Sequence, residues 1–168
     1  MQLLMTVVRK NNGEITKMNT SNEGISLIKK FEGLETTAYR CSANVLTIGY
    51  GHTKGVQEGD EWSEAHAEDV LRADLVEFEG YIHDMVNVPL EQCQLDALVA
   101  WCFNIGPANA KSSSAIRLLN EGKYQEVPAS MRLWNKATVN GEKVVLEGLV
   151  RRRSAESMLF MGKDWTDI

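Results

Sequence analysis

Residues 32–53 read E-G-L-E-T-T-A-Y-R-C-S-A-N-V-L-T-I-G-Y-G-H-T. Glu32 closes a short run in which Ile25, Ile28 and Phe31 recur at helical spacing, and Gly33 follows as a stop. Beyond it, strand-like residues punctuated by Gly49, Gly51, Gly55 and Gly59 predict a small antiparallel sheet over about 36–60. Helix end and sheet therefore meet within a few residues. Glu32, Cys41, Thr47 and His52 are expected to converge on one wall of a cleft, and unlike reactive groups gathered in this way form a site-like pattern.

On the N-terminal side, residues 1–18 read as an extension, with Asn11-Asn12-Gly13 a turn signal for a hairpin or a mobile arm. Thr20 or Ser21 is placed to cap the first helix. On the C-terminal side, Ser63 is placed to cap a long amphipathic helix carrying Leu71, Leu75, Phe78 and Ile82 at helical spacing. That helix links two lobes. The stretch 90–105 carries Leu95, Leu98, Val99, Cys102 and Phe103 around most of its circumference, which marks a buried central helix ended by Gly106-Pro107. Shorter helices are expected at 114–120, 125–134 and 149–161, with a turn or hairpin at Val139-Asn140-Gly141. The fold class is α+β and mainly helical, with a small β lobe at about 34–61 and a helical lobe at about 62–168.

A chain of 168 residues with 43% hydrophobic and 24% charged residues fits one domain with a substantial core. The formal net charge of −5 argues against nucleic acid as the partner, although Arg151-Arg152-Arg153 departs locally from that average. Three cysteines, Cys41, Cys93 and Cys102, match neither a disulfide framework nor a CxxC metal pair, so reduced thiols in a cytosol are expected. The apolar stretch from Leu3 to Val8 is too short for a signal-peptide core or a stable membrane insertion.

A carboxylate in the last turn of a helix faces the negative end of the helix dipole, and an apolar setting beside Phe31 further disfavours its charge. Glu32 is therefore expected to hold its proton, as the acid that glycoside hydrolysis requires at a leaving oxygen must, while a Glu read in isolation is more often a solvated residue at a helix end or a salt-bridge partner. The spacing E-x8-C-x5-T followed by I-G-Y-G-H-T resembles the catalytic segment of glycoside hydrolase family 24, the phage lysozymes that serve as endolysins. The central Gln94-Leu-Asp-Ala-Leu-Val, Phe103-Asn104-Ile-Gly106 and Gly148-Leu-Val-Arg-Arg-Arg also resemble that family, and the likeness covers about 22–162.

The resemblance implies a lysozyme-like fold with the polysaccharide between the lobes, cleavage of the β-1,4 bond between N-acetylmuramic acid and N-acetylglucosamine in peptidoglycan, and no cofactor. It also implies a monomer held in the host cytoplasm until a holin opens the membrane. Glu32 corresponds to the general acid, Thr47 to a threonine that positions water, and His52, with Tyr50 beside it, to structural residues near the motif. Cys41 stands where many members carry aspartate. Its thiol either activates a water with Thr47 or attacks the sugar directly.

Asn104, Trp134, Asn135 and Arg152 are candidate saccharide contacts by the same resemblance, and one arginine of the 151–153 run can approach Glu32. Competing readings are a solvated basic helix face for the arginines, core packing for Trp134, and space filling for Cys41. A Cys41/His52 peptidase and a non-enzymatic wall-binding module compete for the chain as a whole. His66 and His83 read as exposed helical histidines, and no metal site is expected. Trp62 reads as an apolar anchor ahead of the long helix.

Overall fold

The computed structural model describes the backbone of residues 7–9 and 15–168 and side chains from residue 17 onward; the Asn11-Asn12-Gly13 turn lies outside the described residues. Strands β1, Val7–Arg9, and β2, Ile15–Lys17, pair antiparallel ahead of helix α1, Asn22–Glu32. Strands β3, Glu35–Arg40, and β4, Leu46–Gly49, form a second antiparallel pair. The long helix α2 then spans Glu64–Met85, and α3 spans Gln92–Ile105.

Every residue of α3 from Leu95 to Cys102 is buried, because α1, α2 and a C-terminal helix, α7 at Glu147–Phe160, pack around it. This is the circumferential apolar pattern expected of a central helix. Ala67, Leu71, Leu75 and Ile82 form the buried stripe of α2, and Ser63 caps that helix through a bond from the His66 amide to its hydroxyl. The observed fold is α+β and mainly helical.

Several boundaries differ from the sequence reading. Pro107 ends α3 but also opens α4, Pro107–Ser112, because a proline at the first helical position removes only an amide that had no partner. Helix α5 follows at Ser114–Asn120. The helix expected over 125–134 divides into a 3-10 turn at Tyr124–Glu126 and α6, Val127–Arg132, again with a proline in the first turn. The Asn140-Gly141 signal is a true hairpin, joining β5, Lys136–Val139, to β6, Glu142–Val145.

The start of α1 is held by tertiary bonds in place of a local cap. The Ser21 hydroxyl and amide both donate to Asp96 of α3, and Thr20 donates through its amide and hydroxyl to buried Glu79 of α2. Met18, read as the last residue of the extension, is buried in the main core, and its carbonyl faces His83 Nε2 at 2.9 Å. His83 is thus half-buried rather than exposed.

Gly24 lies where α1 crosses α3. A β-carbon there would stand 2.7 Å from Thr20 Cγ2 and 2.9 Å from Asp96 Cβ. Asp96 cannot yield easily, since it also accepts from Gln92. Gly24→Ala gains about 1 kcal/mol of helix propensity but incurs overpacking of about 1–3 kcal/mol. The expected outcome is a net loss and a melting temperature lower by a few degrees; a thermal melt unchanged or raised would show that the crossing has room.

Candidate active site

Glu32 is the last residue of α1, and Gly33 ends the helix at φ 72° with its amide bonded to Lys29 O at 3.1 Å. The Glu32 carboxylate is 21% exposed and accepts from Arg152 Nη1 at 2.6 Å. It is therefore ion-paired, in contrast to the apolar setting expected beside Phe31. The other Arg152 nitrogens donate to Glu156 Oε1 at 3.0 Å and Ala100 O at 3.2 Å. Arg153 donates to both oxygens of Glu156, at 2.6 and 2.8 Å, and to Trp134 O at 3.1 Å.

Arg152, Arg153 and Glu156 are almost fully buried, and with Glu32 they form an array of two cations and two anions. Burying an ion costs several kcal/mol, offset only when charges are matched and their hydrogen bonds are filled. Here both conditions hold. Of the three arginines only Arg151 is exposed, so the solvated-face reading fails for the other two. All three Arg152 nitrogens are engaged within the protein, so its place is behind Glu32 rather than on a saccharide.

The β3–β4 pair carries Cys41 beyond its first strand and Thr47 in its second. Tyr39 pairs with Thr47 and Arg40 with Leu46, and the Cys41 amide continues the ladder to Val45 O at 3.0 Å. Alternation then puts Tyr39, Cys41 and Thr47 on one face. Asn44, at φ 59°, turns the chain between them. Thr47 is buried and gives its hydroxyl proton to Val45 O at 3.0 Å, which leaves its lone pairs to accept from another donor.

The amides of Val45 and then Ala43 draw the Cys41 thiol below its usual value by favouring the thiolate. Burial has the opposite effect on the other cysteines, lifting Cys93 and pushing Cys102 up to about 12. Among the three, Cys41 alone is shifted toward the thiolate form.

The link between the two walls depends on the turn after β4. Gly51, at φ 89°, passes so near the acid that a β-carbon on it would lie 3.6 Å from Glu32 Oε2. Tyr50 next to it is buried. Gly49 packs against Trp62, where a β-carbon would be 3.1 Å from the indole.

His52 is bonded back to Ile48 through both backbone groups, each at 2.9 Å. Its ring nitrogens face Asp74 Oδ2 at 2.7 Å and Lys54 O at 2.9 Å. Both are engaged, so neither is available as a base for Cys41. Trp62 stands between the rings of His52 and His66, with centroids 5.5 and 4.8 Å away.

The remaining candidates sit on the helical side. Asn104 is exposed in the last turn of α3. Trp134 is half-buried and edge-on to Trp101, with ring centroids 6.4 Å apart, while its carbonyl receives Arg153. Asn135, also half-buried, accepts from the Leu146 amide at 3.1 Å at the base of the β5–β6 hairpin. Among the described residues no cluster of three or more His, Cys, Asp or Glu is arranged to hold a metal ion, and no helix is long and apolar enough to cross a membrane.

Sequence reasoning missed Glu156 and Asp74, and read Gly51 only as a turn signal within the motif. A signal for the first existed in its spacing, three and four residues after two arginines, but such pairs on a helix usually mark a solvated face.

The phage lysozyme family profile matches residues 29–156. The endolysin of Acyrthosiphon pisum secondary endosymbiont phage 1 is 41% identical over 143 residues, covering 85% of this chain and 98% of that protein. Among solved structures, the muramidase domain of SpmX from Asticaccaulis excentricus matches with a TM-score of 0.82 at 40% identity, over 85% of this chain and 97% of that one. The endolysin from Escherichia coli O157:H7 phage FAHEc1 also matches with a TM-score of 0.82, at 37% identity over 87% and 95% of the two chains. Because the matched stretch runs unbroken from the end of α1 through the buried arginines of α7, the chain belongs to the phage lysozyme family and is a lysozyme-type hydrolase.

Proposed function

We propose that the enzyme hydrolyses the β-1,4 bond between N-acetylmuramic acid and N-acetylglucosamine in peptidoglycan, with Glu32 as general acid and Cys41 and Thr47 serving the nucleophile. The observation that carries this reading is the fixed position of Glu32. Its carboxylate, anchored from behind by Arg152, faces the turn of the lobe that carries Cys41 and Thr47. In its protonated form that carboxyl hands its proton to the leaving sugar oxygen as the glycosidic bond breaks, and Arg152 pairs with the carboxylate that is left.

On the other wall, Thr47 accepts a hydrogen bond from a water whose second proton passes to the Cys41 sulfur, or the thiolate itself adds to the anomeric carbon. The first route inverts the anomer. The second retains it, because water then displaces the sulfur in a second inversion. Asn104, Trp134 and Asn135 contact the glycan from the helical side, while His52 and Tyr50 hold the lobe in shape. No cofactor takes part.

The peptidase reading needs His52 as a base for Cys41, and both of its ring nitrogens are already occupied. Carried over from the family resemblance, the enzyme acts as an endolysin. It works as a monomer, accumulates in the host cytoplasm, and reaches the wall after a holin opens the membrane.

Glu32→Gln is expected to bind peptidoglycan and to lose all but about a hundredth to a ten-thousandth of its turnover, the usual worth of a general acid. Turbidity clearing with mass analysis of released fragments checks this, and a fully active variant would remove Glu32 from the mechanism.

Iodoacetamide is expected to modify Cys41 before Cys93 or Cys102 in the folded protein, and to abolish wall lysis as it does so. Full activity after confirmed modification, or in Cys41→Ala, would exclude the sulfur. Because the Cys41 thiol is depressed, a thiolate mechanism makes kcat/KM rise with pH through a midpoint below the ordinary thiol value of about 8.5. Cys41→Asp should move that limb toward about pH 4, and a limb that stays in place would assign it to another group.

A further inference from the structure

Tyr39 lies on β3 opposite Thr47 and two residues before Cys41, on the sheet face that carries both. It is 42% exposed, whereas Tyr50 at the end of the same sheet is buried. The phenol hydroxyl is held above its usual value, first by desolvation and then by the charges of Glu35, Cys41 and Glu32. The hydroxyl therefore lies beside those acidic groups, and the side chain as a whole stands open to solvent on the face that carries Cys41.

An aromatic ring left open between a sugar-cleaving acid and a thiol matches the chemistry of a pyranose, which presents a flat array of C–H bonds beside its hydroxyls. Carbohydrate sites use such faces because stacking removes apolar surface from water while the polar rim remains bonded. Trp134, a candidate saccharide contact from the sequence, lies on the helical side, where its ring packs perpendicular to that of Trp101. The β wall offers Tyr39.

Resting on the lysozyme reading of Glu32 and Cys41, we propose that Tyr39 is a substrate-positioning residue whose ring forms the stacking platform for the sugar on the β wall of the cleft. Its hydroxyl only orients the ring.

The test is binding of a peptide-free glycan strand of alternating N-acetylglucosamine and N-acetylmuramic acid, titrated into variants on the Glu32→Gln background. Tyr39→Leu should weaken binding about tenfold, the ordinary worth of an aromatic contact. Tyr39→Phe should restore it to within about twofold of the parent. In the otherwise wild-type enzyme, Tyr39→Leu should raise KM more than it lowers kcat, as loss of a positioning contact requires.

Tyr39→Trp supplies an independent readout, since an indole in the platform must change its emission when the strand binds. Leu binding like the parent, Phe binding as weakly as Leu, or unchanged emission from the Trp variant would each overturn the proposal. An active Glu32→Gln enzyme would instead overturn the lysozyme assignment of Glu32, while the binding results would still decide the platform.

Discussion

The site depends on a charge balance inside the helical lobe. Arg152 and Arg153 lie in a volume that would reject either alone, and Glu156 meets both while Glu32 closes the set at the surface. The Ala100 and Trp134 carbonyls accept the spare guanidinium hydrogens. Such an array contributes little net stability compared with an apolar core of the same volume, but removing its fully buried anion, Glu156, leaves unmatched buried charge and costs about 3–5 kcal/mol. What it confers is position. Arg153 grips Glu156 with two bonds, and Arg152, fixed between Glu156 and the Ala100 carbonyl, reaches the acid at the end of α1 with a single bond, so that carboxylate is tied to α3 and α7.

The rest of the fold serves the same end. The start of α1 is tied to α2 and α3 by Glu79 and Asp96, its first turn is pressed against α3 at Gly24, and its last residue is tied to α7. A helix of 11 residues would be marginal alone. Held at three points by tertiary contacts, it presents one carboxylate at a defined place. The β3–β4 pair is the less supported element, docked on α2 through His52, Asp74 and Trp62 beneath Gly49.

Much of this was legible in the sequence because it is periodic or local. The stripe of α2, the circumferential apolar pattern of α3 and the turn at Asn140-Gly141 each lie within a short window. Glu32, Cys41 and Thr47 were legible through the spacing of one motif. The partners that give those residues their character were not, because they come from distant parts of the chain. Glu156 reads as an ordinary charged helix residue until α3 and α6 close over it, and His83 reads as exposed until Met18 lies across it. Pro107 ends α3 as read but also opens α4, and Pro128 lies in the first turn of α6 inside a stretch read as one helix; proline both ends helices and begins them, and local sequence alone does not say which.

Gly33 separates two mechanical bodies. The acid belongs to the helical body, to which Arg152 fastens it, and the thiol with its threonine belongs to the hairpin beyond the glycine. The separation between Glu32 and the Cys41 sulfur follows from how the hairpin rests on α2 and from the approach of Gly51 to the carboxylate. A packing change under Trp62 or at Asp74 is therefore felt as a change in reach between the two reactive groups.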